Sequence, residues 1–505
     1  AKDRLLKRIR SVWKDYSQYT DDDVIALYLN ALTRAYDPHS TYMAAEDLRN
    51  FDISIKLSLD GIGAVLRWED GYTVVNSIIP GGAAARHGKL AVDDRIIAVA
   101  QGAEPFESVI DMRLNDVVEL IRGQRGTTVR LQVMRKNENG FDTINFAIVR
   151  DKIVLKDGEA KAEIFEPIAS TEESPSAYRI GVIELPSFYV DFNDRRQNPN
   201  NYKSSSRDVR THLEQFKRDG VDGVILDLRN NGGGGLDEAI TMAGLFVGRK
   251  PIVIVRQASG ARITVHRSRE EAIYEGPLLV MLNRFSASAS EILAGAMHDY
   301  QRAILVGDRT TFGKGTVQNI VQLPEGYGAL KVTIAQFYRV SGWSTQNRGV
   351  ETDMILPSIN NARDLGESTL ENALPWKAIS PISYTPVGSI RRYISELQQN
   401  SHERLSKNTE FKEIEENVQE FLTNVKPLEY TSILKMQEDA AKRKEERDEE
   451  MASARKIMES TTQEDSEEET ASNKETKIRR DAYLLESMAI IEDYIRLQQR
   501  VDVQN

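Results

Sequence analysis

Two short apolar runs with one helical stretch between them constrain this chain more than any other feature. Pro277-Leu278-Leu279-Val280-Met281-Leu282 and Ala303-Ile304-Leu305-Val306 have the length of buried strands, and Ile292, Leu293, Ala296 and Met297 recur between them at helical spacing. The alternation begins further upstream. Ile180-Gly181-Val182-Ile183 predicts a strand, 207–218 a helix and 221–228 a second buried strand; Leu236, Ala239, Ile240 and Ala243 then give another helical face. Strands alternating with helices predict an α/β core, to which 329–340 and 349–357 add strands.

The junctions carry the chemistry. Ser286-Ala287-Ser288-Ala289-Ser290-Glu291 opens the 288–300 helix, and Ser288-x-x-Glu291 fits a capping box. A serine at a helix start also sits beside free backbone N–H groups that can stabilise a tetrahedral oxyanion, with the Ala289 amide as first candidate. A serine nucleophile needs a base. Lys314 follows 26 positions later, on the next predicted strand, in Phe312-Gly313-Lys314-Gly315-Thr316-Val317-Gln318. A lysine serves as base only when neutral, which burial can bring about; Phe312, Val317 and the 303–306 run are the expected wall. Gln318, four positions on, can hold a neutral amine without adding charge. A second oxyanion donor is expected from the strand-to-helix turn Asn230-Asn231-Gly232-Gly233-Gly234-Gly235, at Gly232 or Gly233.

A nucleotide-binding reading competes for these glycines and fails on spacing. Five residues separate Gly307 from Gly313, Lys314 is followed by Gly315 rather than Ser or Thr, and no lysine follows 232–235. His298 shares the helix with Ser288 but lies about 15 Å along it, too far for a triad.

Together Asp227-Leu228-Arg229-Asn230-Asn231-Gly232-Gly233, Ser286 to Glu291 and Phe312 to Gln318 resemble the signature of the carboxy-terminal processing proteases, in their tail-specific branch. Asp37-Pro38-His39, Gly61-Ile62-Gly63-Ala64-Val65-Leu66 and Asn372-Ala373-Leu374-Pro375-Trp376 extend the resemblance over most of 20–380. It implies a multidomain α/β protein: a crotonase-like protease core with an inserted β-rich PDZ domain and helical N- and C-terminal regions. It implies Ser288 as nucleophile, Lys314 as general base, Gln318 orienting the lysine, and a role for Asp299. An aspartate at a helix C-terminus also calls for a partner, and Arg302 is the nearest candidate. Two departures stand out. Gly307 to Phe312 is one residue longer than the usual loop, and Thr352 replaces a usual proline.

Residues 1–49 predict helices: Leu5, Leu6, Ile9, Val12 and Trp13 form one face, Thr20 to Asp23 a cap, and Val24, Ile25, Tyr28, Leu29 and Leu32 a second face. Residues 50–140 predict the PDZ domain. Strands are expected from the alternation of Ile53, Ile55 and Leu57 and at 72–75, 93–99 and 129–133, with a helix from Val109 to Ile121. The amides of Gly61, Ile62, Gly63 and Ala64 would bind a terminal carboxylate while the tail adds a strand to the sheet edge. Leu114, Val117, Val118 and Ile121 are candidates for the groove, some of them facing the core instead. The core is expected over 141–385, with polar loops at 171–176 and 194–206. A helical C-terminal region follows over 386–505, with a charged linker near 440–478. Phe411, Ile414, Val418, Phe421 and Leu422 mark one amphipathic helix; Leu484, Met488, Ile491 and Ile495 mark another, whose apolar face needs either this protein's body or another chain.

Composition bounds the partners. A net charge of −11 argues against nucleic acid, and the absence of cysteine excludes disulfides and thiolate chemistry. Six scattered histidines lack metal-ligand spacing, so neither metal nor cofactor is expected. The resemblance implies protein and peptide substrates with apolar C-termini, an adaptor or activator protein, self-association through the C-terminal helices, and a periplasmic or cell-envelope location. No run is long enough to span a membrane and no signal peptide is visible at Ala1. The competing reading from another class is a non-catalytic or gated scaffold that binds C-termini.

Overall fold

A computed structural model describes residues 2–138, 140–166, 178–260, 262–324, 326–423 and 478–504. The two apolar runs become adjacent parallel strands at the centre of a six-stranded sheet. Its order is Lys161–Phe165, Ile180–Glu184, Gly223–Asp227, Leu278–Leu282, Ile304–Gly307 and Met354–Ile355, parallel except for the first edge strand. Such strands need cover on both faces, because their side chains are apolar on both. On one face Val224, Leu226, Leu278, Val280 and Leu305 pack against helices Ser205–Asp219, Leu236–Val247 and Ala289–Asp299.

On the other face Ile225, Leu279, Met281, Ile304 and Val306 pack against Leu397, Phe411 and Leu484, Ile490, Ile491 and Ile495 of helix Ala482–Gln504. The last helix therefore packs on this protein's own sheet. Gly223 makes room for it: a Cβ there would lie 3.0 Å from Ile491 Cδ1. Phe421 and Leu422, at the end of helix Thr409–Thr423, remain exposed.

A second sheet packs on the face of the core that carries helices Ser205–Asp219, Leu236–Val247 and Ala289–Asp299. Ala329–Tyr338 pairs with Thr316–Gln322, Pro251–Gln257 and the short N-terminal strand Thr41–Met43. The N-terminal helices Lys2–Ser17 and Asp21–Arg34 form as predicted, the second with its Thr20–Asp23 capping box; most of both predicted apolar faces is exposed.

The β-rich unit has its own core of Ile62, Val75, Ile96, Val117, Val129, Leu131 and Phe146. Four expectations need correction here. Ile53 and Ile55 lie not on a strand but in helix Ala45–Lys56, with Leu57 its left-handed cap; Leu48, Phe51 and Ile55 have the i, i+3, i+7 spacing of one helix face, which outweighs a short alternation. The groove helix runs only over Leu114–Ile121. A boundary at 140 cuts a hairpin, since Thr128–Asn137 pairs with Gly140–Val149, and Asp151–Val154 returns to pair with Ser58–Gly61. Within 349–357 only Met354–Ile355 is strand. The polar loop at 171–176 and nearly all of the charged linker lie outside the described residues.

Candidate active site

Ser288 stands where the Leu278–Leu282 strand turns into the Ala289–Asp299 helix, at φ 57° and ψ −109°. Positive φ on a residue with a Cβ is strain, which this turn holds in place with three anchors. Ser286 Oγ donates to Leu228 O at 2.8 Å, Ser290 Oγ donates to Asn231 O at 2.8 Å, and Ala287 N–H donates to Asn231 O at 3.0 Å. The flanking serines thus tie the turn to the glycine loop, and Ser288 lines an open cleft of about 640 Å³.

Glu291 fixes the other side. Fully buried, it receives Ser288 N–H at 2.7 Å and Lys314 N–H at 2.9 Å on Oε2, and Thr311 Oγ and Gly313 N–H on Oε1, each at 2.6 Å. One carboxylate therefore holds the backbone of the serine and of the lysine at once, a second job for the residue that sequence reads as a cap. Burial pushes its pKa up to about 7 against these four donors.

Lys314 lies in the turn just ahead of strand Thr316–Gln322, not on it. Its Nζ donates to Gln318 Oε1 at 2.7 Å and Thr316 O at 3.0 Å. Burial lowers its pKa to about 8, helped by the nearby positive charge of Lys331 and opposed by Glu367, Glu291 and Asp37. Val317, Ile292 and Phe337 are among the apolar residues that line the cleft with Lys314; neither Phe312 nor the 303–306 strand lines it. Among the described hydrogen bonds of Nζ none reaches Ser288, although both residues line the same cleft.

Behind Gln318 is a relay whose length hides it from sequence patterns. Gln318 Nε2 donates to Thr333 Oγ at 3.0 Å, and Thr333 Oγ donates to Asp37 Oδ1 at 2.8 Å. Burial works against the Asp37 charge, yet Ser40, Thr333 and the His39 and Ser40 amides hold its pKa below the ordinary value. His39 in turn meets buried Glu367 at 2.7 Å, and Glu367 accepts from Gln346 Nε2, whose Oε1 accepts from Gly315 N–H.

Of the expected oxyanion donors, the Gly233 amide is taken by Asn231 Oδ1 at 2.9 Å; the Gly232 and Ala289 amides have no described acceptor. Gly233 still shapes the site. At φ 106°, a Cβ there would meet Ser288 Cβ at 2.8 Å and Ala289 N at 3.0 Å. Asp299 is not part of this cluster. It lies at the far end of the helix, about 16 Å from Ser288 at 1.5 Å per residue. Its partner is Arg339, not Arg302: Arg339 Nε donates at 3.1 Å and Ser341 Oγ at 3.2 Å, while Arg302 donates to Phe246 O and Tyr274 O. The two departures meet each other. Thr352 donates its N–H to Arg309 O at 3.3 Å, which a proline cannot do, and its hydroxyl to Asp308 O at 2.9 Å, tying down the longer loop.

In the β-rich unit Ala64–Glu69 is one edge strand, faced by helix Leu114–Ile121; Gly140–Val149 is the other edge. Val117 and Ile121 go to the core, leaving Leu114 and Val118 half-exposed. The carbonyls of Ile62 and Gly63 accept from Ala84 and Ile79 N–H; the Ile62 and Gly63 amides have no described acceptor.

Comparison with known proteins gives the family. Residues 179–356 match Peptidase family S41, 52–134 a PDZ domain, 1–46 the tail specific protease N-terminal domain and 360–496 the C-terminal domain of tail specific protease. A carboxy-terminal-processing protease of Bartonella bacilliformis is 31% identical over 74% of this chain and 80% of its own. The chain belongs to the S41 peptidases, the carboxy-terminal processing proteases. A tail-specific protease of Haemophilus influenzae is 39% identical over 83% of this chain; the chain spans 58% of that relative's length. The solved PDZ domain of a carboxy-terminal protease from Vibrio cholerae, in complex with peptide, is 45% identical over 19% of this S41 chain and 98% of its own, with a TM-score of 0.19.

Proposed function

We propose that this S41 member is a serine endopeptidase that selects proteins by their C-terminal tails and cleaves them with a Ser288–Lys314 dyad. The observation that carries the proposal is an amine whose pKa burial lowers to about 8, lining the same cleft as a serine on a strained strand-to-helix turn. Neutral Lys314 takes the Ser288 proton as Oγ attacks the scissile carbonyl carbon. The oxyanion forms against the Ala289 and Gly232 amides. Its collapse breaks the C–N bond, and the Lys314 ammonium returns the proton to the leaving amine. A water, deprotonated by Lys314, then attacks the acyl carbon; the ester C–O bond breaks, and the Lys314 ammonium returns the proton to Ser288 Oγ. Gln318 keeps the amine aimed, and Lys314 Nζ exchanges Thr316 O for Ser288 Oγ when substrate binds. The tail docks between Ala64–Glu69 and Leu114–Ile121, its carboxylate on the amides of the Gly61–Ala64 loop. The working units are the N-terminal segment 1–49, the β-rich unit from 50 carried past 140 to include the Gly140–Val149 strand, the core to 385 and the C-terminal region 386–505, acting at the cell envelope on unfolded or adaptor-delivered proteins.

The test is cleavage of an unstructured protein with an apolar C-terminal tail by the parent, Ser288→Ala and Lys314→Met chains. Only the parent should cut. Equal cutting by all three removes the dyad. Tail binding with no cutting by the parent favours the alternative, a gated or non-catalytic binder of C-termini, for which the Nζ bond to Thr316 O already speaks.

A further inference from the structure

Beside the catalytic cleft runs a second concavity with the opposite charge character to the molecule. It encloses about 600 Å³ and is lined by Arg195, Arg207, Arg210, Arg267 and Arg269 with His266. Two acidic residues, Asp237 and Glu270, line it beside five arginines, in a chain whose net charge is −11. Asp237 pairs with Arg195 at 3.1 Å and Glu270 with Arg210, which uses up both acids. Arg207 lies 5.0 Å from the Tyr202 ring centroid and donates to the backbone of Asn200; Arg267 and Arg269, both exposed, make no described ion pair. Three arginines therefore line one cleft with no described carboxylate partner.

The cleft is joined to the active site. A third concavity, of about 720 Å³, shares Phe51, Ile55, Phe192 and Ile320 with the cleft that holds Ser288 and Lys314, and shares Arg195 with the arginine cleft. Asp237 lines all three. The path thus runs from Ser288, along a stretch where those four apolar residues alternate with charged residues of both signs (Asp52, Lys56, Asp191, Arg195, Arg196 and Asp237), to the arginine cleft.

We propose that the arginine cleft is an exosite for a carboxylate-rich segment of the substrate polypeptide, engaged while the scissile bond lies at Ser288. Guanidinium groups match carboxylates in bidentate geometry, and a cleft lined by one sign of charge raises the local concentration of the opposite sign. The identity of the ligand as substrate rests on the proteolytic reading above.

The experiment separates the two. Binding of a C-terminally amidated Glu-rich peptide and its Gln-rich counterpart is measured by fluorescence anisotropy on the full Ser288→Ala chain, with and without Arg207→Gln, Arg267→Gln and Arg269→Gln together. The Glu peptide should bind about five- to tenfold tighter, a preference screened away by salt and abolished by the triple change. Equal binding of the two peptides overturns the exosite, as does a preference that survives the triple change. So does capture of inorganic polyphosphate through these arginines without the Glu peptide, which would make the cleft a phosphate site. In parallel the parent is given two tails identical around the cut and differing by a Glu or Gln block. A lower KM for the Glu tail that the triple change erases supports the exosite, and an unchanged KM ratio overturns it. If neither tail is cut, it is the proteolytic reading that fails, while the anisotropy still decides the exosite.

Discussion

A single amine sets the pH behaviour of the proposed chemistry. Lys314 must be neutral to accept a proton, so kcat/KM should rise with pH and level off above an apparent pKa of about 8. Lys331 lines the same cleft and its charge helps keep Lys314 deprotonated. Removing it with Lys331→Met lets Lys314 hold its proton more strongly, so the rising limb should move to higher pH; a pH–rate profile that stays put, or moves to lower pH, contradicts the assignment. Thr333 is argued from geometry. Thr333→Val cuts the link from Gln318 to Asp37, so kcat should fall about ten- to a hundredfold with little change in KM, and Thr333→Ser should restore it. A purely structural role would lower thermal stability and leave kcat at low temperature intact. Ser288, Lys314 and Gln318 are legible in sequence because each lies in a short motif. Asp37 and Thr333 are 296 positions apart, and nothing periodic or local in the chain announces that they touch.

Helices and turns show where local pattern suffices and where it fails. The helix from Ala289 was legible because its apolar spacing, its serine start and its Glu291 all agree. The partner of Asp299 was not: Arg302 is close in sequence, but its guanidinium caps carbonyls of Phe246 and Tyr274, and Arg339 arrives from the second sheet. Ile53, Ile55 and Leu57 misled because three apolar residues at every second position fit a strand as well as the end of a helix. The glycine loop offers a sharp test. In Gly233→Ala the methyl group would meet Ser288 Cβ and the Ala289 amide, on a backbone whose positive φ already costs a residue with a Cβ about 1–2 kcal/mol. Either the loop or the nucleophile turn must shift, so kcat should fall by more than about a hundredfold, while the circular dichroism spectrum stays that of a folded protein. Retained activity would mean that the turn has slack that these distances do not allow.

At the scale of the molecule the six-stranded sheet separates two jobs. One face carries the helices that present Ser288 and the glycine loop; the other is sealed by the C-terminal helices. From sequence the apolar stripe on 482–504 fitted this protein's body and another chain equally well, because amphipathicity states that a face is buried and not against what. Gly223, Ile491 and Ile495 decide it, with the helix seated over the gap a glycine leaves in the strand. If the seal is a stability device, its damage should be separable from catalysis. Ile491→Ala removes a buried side chain from that contact and should cost about 2–5 kcal/mol, read as a lower denaturant midpoint. Well below the unfolding transition kcat should be nearly unchanged, since the intact strands lie between Ile491 and the cleft. An ion pair crosses that divide: Arg229, two residues past the end of the Gly223–Asp227 strand and next to the glycine loop, meets Asp481 at 2.9 Å just before the last helix. If Ile491→Ala lowers kcat as much as stability, the coupling runs through that pair, and Asp481→Asn alone should then reproduce the loss of kcat without the loss of stability.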